Sequence, residues 1–219
     1  MITIKDGVAD RFDRIGHVWK PNVEARVNFI KLRNQGKLDN DRYYKKDEGL
    51  DVGYDYGAFL RDWNAGAFKG DMSKIPTNII FEKGIIQQES GGRQFTPIGK
   101  TVTSPKGALG ISQLMPDTAP EAARLAGLPY DEKRLKNDTS YNKALGQAYY
   151  DKQFNDFKDP HLAIMAYNAG PGKVNEWINE IGDPRNGDIT INDFIDKVPY
   201  KETREYVKKI SKRLLANAD

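Results

Sequence analysis

The sequence predicts a mainly helical domain over residues 76–219, with one small β-hairpin or loop element, preceded by a small helical or irregular segment over residues 1–75. Two observations support this prediction. From Ile75 onward, apolar residues recur at spacings of three and four, and residues typical of helix ends punctuate the pattern. Between Gly91 and Gly110 the chain is instead rich in Gly, Thr and Pro, which disfavours a helix and favours a hairpin or loop.

The helices are predicted in chain order from their start and stop signals. The first is opened by Pro76, which is tolerated in a first turn, and is closed by the pair Gly91 and Gly92. Later helices start at capping residues and stop before Gly or Pro. These signals predict a helix from Asp117 to Leu125, one that starts at Asp138 or Ser140, one from Asp159 to Asn168, short helices over 174–181 and 192–197, and a last helix from about Lys201.

Composition excludes several classes of protein. Hydrophobic residues make up 38% of the 219 residues and charged residues 30%, which suits a soluble globular protein with a buried core. The net charge of +3, without an arginine-rich block, gives no indication of nucleic-acid binding. With no cysteine and only His17 and His161, we expect no disulfide, no thiol catalysis, no metal site and no cofactor. No stretch approaches the ~18 apolar residues of a membrane span.

Residues 1–75 carry no recognisable catalytic pattern. Short helices are predicted over 23–30, where Asn22 can cap the first turn, and over 55–63. The first twenty residues contain no apolar run of signal-peptide length, so the sequence predicts no export signal.

Glu89 is the first candidate for chemistry. It lies four residues after Ile85 and three after Ile86, which places its carboxyl on the apolar face of a helix. Apolar surroundings and the negative end of the helix dipole both raise the pKa of a carboxyl. A general acid that works near neutral pH needs such a pKa. The alternative interpretation is a solvated Glu at a frayed helix end.

Other candidates lie in three further stretches. Gln113 sits in a loop between glycine and proline, directly before a helix, while Tyr167 and Asn168 lie at a helix end. Glu202 and Tyr206, four residues apart, share one face of the last helix. Each alone has an ordinary structural explanation. Gln113 can be a loop residue, Tyr167 a core ring and Asn168 a helix cap. Glu202 can form an ion pair with Lys201 or Arg204.

Taken in order, these stretches resemble the lysozyme-like domain of soluble lytic transglycosylases of the Slt type. The resemblance covers about two-thirds of the chain, from Ile75 onward, and rests on Glu89-Ser90, the run from Ser104 to Pro116, the run from Ala166 to Gly170, and the run from Pro199 to Tyr206. Two features depart from the family's pattern: Ser112 stands where a methionine is usual, and the stretch between Glu89 and Ser104 is long.

The resemblance implies a lysozyme-like helical fold, a cleft for peptidoglycan strands, and cleavage of the bond between N-acetylmuramic acid (MurNAc) and N-acetylglucosamine (GlcNAc). Glu89 would be the single catalytic residue, acting first as acid and then as base to leave a 1,6-anhydromuramoyl end. The same match implies a set of substrate-binding residues: Ser90; Ser104, which would hydrogen-bond Glu89; Gln113, Met115, Tyr167 and Asn168, lining the cleft; and Glu202 and Tyr206, closing its far side.

Two other functions stay open at this point. A hydrolytic lysozyme on the same fold would need a positioned water and usually a second carboxylate, and no acidic residue lies between Glu89 and Gln113. Asp117 or Glu121 could in principle supply one. A virion structural component that only grips glycan is the third candidate.

The substrate lies outside the cytoplasm, in the periplasmic cell wall. With no export signal predicted, the expected source is a bacteriophage, whose enzyme would act in entry or lysis; a bacterial enzyme trimmed of its signal is the alternative. Residues 1–75 could then contact other virion proteins.

Overall fold

A computed structural model of the chain describes residues 2–5, 8–15, 18–22, 44–47, 50–54 and 71–216. The chain divides into two compact units, of which Gly70–Ala216 is one and the rest of the chain is the other. The predicted boundary between an N-terminal segment (residues 1–75) and the following domain (residues 76–219) stays a prediction.

The described residues of the first unit are β-strands, which the sequence analysis did not predict. Three strands form an antiparallel sheet in chain order: β1 (Ile2–Lys5), β2 (Val8–Ile15) and β3 (Val18–Asn22). Two more form an antiparallel pair, β4 (Tyr44–Asp47) and β5 (Leu50–Tyr54). The charged residues within β2 interrupt the apolar alternation by which a strand is recognised. The helices predicted over 23–30 and 55–63 lie outside the described residues.

The second unit is helical, which confirms the predicted fold class. A short 3-10 turn, Met72–Lys74, precedes the first helix. The described residues contain eight helices: α1, made of Thr77–Ile79, Ile80–Ile85 and Ile86–Glu89; α2 (Ala119–Ala126); α3 (Glu132–Asn137); α4 (Thr139–Phe157); α5 (Pro160–Ala169); α6 (Pro171–Ile181); α7 (Ile191–Lys197); and α8 (Lys201–Ala216).

Two of the predicted helix starts are confirmed by capping hydrogen bonds. The side chain of Asp138 accepts a hydrogen bond from Tyr141 N, so that Asp138, not Ser140, caps α4. Asp159 likewise accepts hydrogen bonds from the main chain at the start of α5. The predicted cap at Asp117 is wrong, because Asp117 lies inside a turn and α2 begins only at Ala119.

The short helix α3 was not predicted. Its cap, Asp131, accepts a hydrogen bond from Arg134 N at 2.9 Å. Leu135 is its one buried residue, so the helix has almost no apolar spacing by which a sequence pattern could reveal it.

The core of the second unit lies around α4 and α5. Five consecutive residues of α5, from Leu162 to Ala166, are buried, so this helix is surrounded on all sides. Helices α4, α6 and α8 pack against it, and α2 packs against α4. The C-terminal end of α5, which carries Tyr167 and Asn168, is thereby held in place by the core.

The segment between α1 and α2 is an irregular β element, as predicted. Isolated β-bridges join Phe95 to Thr101, Thr103 to Leu109, and Leu109 to Leu114. The last of these bridges closes a tight loop that contains Gln113.

Candidate active site

Helix α1 brings Glu89 to the site through a π-helical segment. Six residues, Ile80–Ile85, have π-helical hydrogen bonding, and α-helical geometry resumes for Ile86–Glu89. Segments of this kind are rare and occur often at functional sites. Sequence spacing predicted a helix here but not its π-helical part.

The π-helical segment packs closely on α8. A Cβ atom on Gly84 would lie 2.8 Å from Cγ2 of Ile210, so only glycine allows this approach. Arg213 donates one hydrogen bond to Gly84 O at 3.1 Å and another to Gln88 Oε1 at 3.3 Å. The last turn of α1 is therefore fixed to α8 by packing and by hydrogen bonds.

The Glu89 carboxyl is the last side chain of α1 and is largely buried. Tyr206 of α8 donates a hydrogen bond to Glu89 Oε1 at 2.6 Å. Burial raises the pKa of Glu89 from 4.5 to about 7; the Tyr206 hydrogen bond opposes this rise, and the negative charge of Glu202 adds to it. A carboxyl with this pKa can carry a proton at neutral pH and release it.

A polar cavity of about 320 Å³ opens beside Glu89. Its lining residues come from α1, α5 and α8: Gln88, Glu89, Asn168, Glu202, Glu205, Tyr206 and Lys209. Four of the predicted site residues are thus brought together around one space. Glu205 and Lys209 were not predicted, although they follow Glu202 by three and seven residues and so share its helical face. Gln88 carried no sequence signal of its own.

Three consecutive residues at the start of α8 make three different contacts. Glu202 has an exposed side chain and forms an ion pair with Lys106 at 3.7 Å, not with Lys201 or Arg204 as its sequence neighbours suggested. Buried Thr203 donates a hydrogen bond from Oγ1 to Asn168 Oδ1 at 2.7 Å. Arg204 donates to the main chain just before the helix.

Gln113 adopts a left-handed backbone conformation, with φ of 47°, in the loop that ends the β element. Its side-chain Nε2 donates hydrogen bonds to Val102 O at 3.2 Å and to Gly110 O at 2.8 Å. Gly110 also has a positive φ, of 74°, and a Cβ atom there would lie 2.3 Å from Nδ2 of Asn142. Glycine is therefore required at this position by both conformation and space.

Buried amide side chains hold the main chain of this loop. Gln94 Oε1 accepts a hydrogen bond from Ile111 N at 2.7 Å. Asn142 Oδ1 accepts one from Ser112 N at 3.0 Å, and its Nδ2 donates to Leu109 O at 3.0 Å. These two amides were not predicted, because their partners lie 17 to 33 residues away in the chain.

Five predicted substrate-binding residues are absent from the cavity lining: Ser90, Ser104, Gln113, Met115 and Tyr167. Two of them, Ser90 and Tyr167, hold the same loop. The Ser90 hydroxyl is buried and donates to Ile111 O at 2.8 Å. The Tyr167 hydroxyl donates to Ser112 O at 2.8 Å. Ser90 thus connects the end of α1 to this loop, and Tyr167 connects the end of α5 to it.

Ser104 and Met115 lie on the segments that flank the Gln113 loop. The Ser104 hydroxyl accepts a hydrogen bond from Ala108 N at 3.0 Å within its own turn. The hydrogen bond expected between Ser104 and Glu89 stays a prediction. Met115 has an exposed side chain, and its contact with substrate stays a prediction.

Ser112, which departs from the family's usual methionine, is fully buried. Its Oγ donates to Asn142 O at 3.2 Å. A Cβ atom on Gly146 of α4 would lie only 2.5 Å from Ser112 Cβ. The serine therefore fits a space that exists because α4 carries a glycine at this point.

The described residues contain no group of three or more His, Asp or Glu side chains that could hold a metal ion. In the same part of the chain, every helix is too short or too polar to cross a lipid bilayer.

The class of protein follows from comparison with known families. A family profile described as the Transglycosylase SLT domain matches residues 67–188, which is more than half of the chain. The chain therefore belongs to the Transglycosylase SLT domain family. The match contains Glu89, the Gln113 loop and Asn168, and it ends before α8.

Curated relatives carry the name soluble lytic murein transglycosylase. The Escherichia coli K12 protein is 32% identical over 120 residues, and the Salmonella typhimurium protein is 33% identical over 122 residues. Each alignment spans 54% of this chain and only 18% of the relative.

Solved structures show the same fold. The 70 kDa soluble lytic transglycosylase of Escherichia coli aligns with a TM-score of 0.54 and 25% identity, over 89% of this chain and 30% of that one. A complex of the 70 kDa soluble lytic transglycosylase with bulgecin A aligns with a TM-score of 0.54 and 24% identity, over 87% of this chain and 29% of that one. The lysozyme-like helical fold is thus common to these proteins and to this chain.

Proposed function

We propose that this chain is a peptidoglycan lytic transglycosylase. It cleaves the β-1,4 bond between MurNAc and GlcNAc and leaves a 1,6-anhydromuramoyl end. The observation that carries the proposal is the Glu89 carboxyl, whose pKa of about 7 and hydrogen bond from Tyr206 suit a group that must donate and then accept a proton. Family membership and the names of the relatives support the substrate class.

In the proposed reaction, protonated Glu89 gives its proton to the glycosidic oxygen as the bond to the muramic anomeric carbon breaks. The muramic acetamido group stabilises the positive charge that develops at that carbon. Glu89, now a carboxylate, takes the proton of the muramic C6 hydroxyl, and the C6 oxygen bonds to the anomeric carbon. No water enters, and Glu89 ends protonated as it began. Intramolecular attack of this kind can lower a barrier by about 7–11 kcal/mol.

Hydrolysis at the same site is the second candidate, and one observation favours it. Glu202 and Glu205 line the cavity together with Glu89. A second carboxylate could activate a water, which is the arrangement that hydrolytic glycosidases use. The residues that the sequence offered for this role were Asp117 and Glu121, whereas the cavity receives its other carboxylates from α8.

Mass spectrometry of fragments released from purified peptidoglycan tests the proposal. We expect muropeptides that end in 1,6-anhydromuramic acid, lighter by one water than reducing-end products. Glu89→Gln should abolish release, while Glu180→Gln, at an exposed position on α6, should not. Reducing ends would instead establish the hydrolase, and release by Glu89→Gln at the wild-type rate would contradict both functions.

Bacteriophage origin, a role in entry or lysis, action in the periplasm, and contacts of residues 1–75 with virion proteins rest on the sequence alone. They stay predictions.

A further inference from the structure

Thr203 makes an unusual contact for a threonine near the start of a helix. Only 1% of its surface is exposed, and its hydroxyl donates to Asn168 Oδ1 on α5 at 2.7 Å. A helical Thr commonly hydrogen-bonds the carbonyl three or four residues earlier in its own helix. For Thr203 those carbonyls are Tyr200 O and Pro199 O.

Both of these carbonyls already have a partner. Arg204 N donates to Tyr200 O at 3.0 Å, and Arg204 Nη1 donates to Pro199 O at 3.2 Å. A carbonyl oxygen can accept a second hydrogen bond, yet the Thr203 hydroxyl donates across to Asn168 of α5 and not within its own helix.

The hydrogen bond sets the orientation of the Asn168 amide. An Asn side chain has an accepting oxygen at one end and two N–H donors at the other. Because the Thr203 hydroxyl gives its proton to the oxygen, the Nδ2 end is left for the cavity that Asn168 lines together with Glu89. Turning the amide over would reverse the hydrogen bond, with the Thr203 hydroxyl accepting from Nδ2, and would leave the hydroxyl's own proton without its Asn168 acceptor.

We propose that Thr203 is a positioning residue, which holds the Asn168 amide so that its N–H groups meet the carbonyl oxygen of an N-acetyl group on the bound glycan. The inference rests on the proposed function and adds to it the chemical group that this side of the cavity recognises. Thr203 itself does not touch the substrate.

The test compares Thr203→Val, which keeps the shape and removes the hydroxyl, with Thr203→Ser, which keeps the hydroxyl. Initial rates of fragment release are measured on dilute purified peptidoglycan, in both the wild-type and the Asn168→Ala backgrounds. We expect Thr203→Val to lower kcat/KM about fivefold to tenfold, as loss of one buried hydrogen bond would. Thr203→Ser should stay within about twofold of wild type.

The double variant separates positioning from a general structural role. If Thr203 acts through Asn168, Thr203→Val should have almost no further effect once Asn168 is alanine, because the two changes remove the same interaction. The pH at which activity falls should not change, since Glu89 is untouched. Thermal unfolding shows whether each variant is folded. If Thr203→Val does not fold, Thr203→Ala replaces it.

Three results would overturn the inference: wild-type activity in both Thr203→Val and Thr203→Ala, an undiminished effect of Thr203→Val in the Asn168→Ala background, or failure of serine to preserve activity. Glu89→Gln is measured in parallel. Activity of that variant would contradict the proposed function, whereas an inactive Glu89→Gln with a fully active Thr203→Val would contradict this inference alone.

Discussion

Two neighbours act in opposite directions on the proton affinity of Glu89. The Tyr206 hydrogen bond stabilises the carboxylate and lowers the pKa, while the negative charge of Glu202 disfavours the carboxylate and raises it. Burial, the largest effect, also raises it. Both neighbours lie on α8, four residues apart, so two side chains on one face of this helix shift the pKa of Glu89 in opposite directions.

The first prediction concerns the pH dependence of activity. A general acid must be protonated at the start of the reaction, so activity falls as the pH rises through its pKa, which is about 7 for Glu89. Glu202→Gln removes a negative charge, and we expect the alkaline limb to move to lower pH. Tyr206→Phe removes a hydrogen bond to the carboxylate, and we expect the limb to move to higher pH. Rate profiles from pH 5 to pH 9 measure both, and shifts of the same sign would contradict the assignment.

The second prediction concerns stability. The pKa of Glu89 is raised in the folded state, so folding favours its protonated form, and stability falls as the pH rises from about 4.5 to about 7. Glu89→Gln removes this dependence. We expect it to raise the free energy of unfolding at pH 8 by roughly 1–3 kcal/mol.

Urea unfolding at pH 8 and at pH 4 provides the measurement and its control. At pH 4 the carboxyl is mostly protonated in both states, so the advantage of glutamine should be small. If Glu89→Gln raised the free energy of unfolding equally at both pH values, burial of the charged carboxylate would not be the cause of the stabilisation.

At the scale of elements, close helix packing depends on particular glycines. Gly84 lets the π-helical segment of α1 approach α8, and Gly146 lets α4 approach the Gln113 loop. In both cases a Cβ atom would lie within 3 Å of a neighbouring side chain. The loop that carries Gln113 is thus held from α4 by steric fit as well as by hydrogen bonds.

The third prediction follows from this fit. Gly146→Ala would place a Cβ atom 2.5 Å from Ser112 Cβ and 2.8 Å from Cζ of Phe81. We expect a loss of about 1–3 kcal/mol in the free energy of unfolding, as overpacking produces. Gly172→Ala, in α6, is the matched control, because nothing lies within 4 Å of its Cβ position. There the same change should be neutral or stabilising by roughly 0.5–1 kcal/mol. Thermal unfolding of the two variants measures this difference. Equal melting temperatures would contradict the prediction.

Elements with local causes could be predicted from the sequence, and contacts between elements could not. The caps of α4 and α5 were found because the capping side chain and its partner lie two or three residues apart. The hydrogen bond from Tyr206 to Glu89 spans 117 residues, and that from Thr203 to Asn168 spans 35. Resemblance to a family placed Glu89, Asn168, Glu202 and Tyr206 in one site, but not which atoms meet. The π-helical segment escaped prediction because it depends on packing against α8.

At the scale of the whole second unit, its first and last helices meet at the site. α1 carries Glu89, and α8 carries Tyr206 and Glu202. The family match ends at residue 188, before α8 begins at Lys201. The part of the chain that defines the family is therefore not sufficient to build the cavity.

The fourth prediction tests the role of α8. A chain that ends at Asp188 would expose core surface that Val207, Ile210 and Leu214 now bury. We expect it to lose cooperative thermal unfolding as well as activity, because large apolar side chains each contribute about 1.5–3 kcal/mol when buried. Tyr206→Phe in the full chain is the comparison, and it should keep a cooperative transition. A cooperative transition in the shortened chain would show that α8 is needed only for the site.

Glu89 and Tyr206 are separated by 117 residues in the sequence, which affects when the site can form during synthesis of the chain. Contacts between distant residues form late in folding, and a chain that emerges from the ribosome folds from its N-terminal side. Helix α1 is synthesised long before α8, so Glu89 lacks its hydrogen-bond donor until translation has passed residue 206. During that interval Glu89 has neither its partner nor its complete cavity, so the proposed activity would be acquired only as the last helix docks.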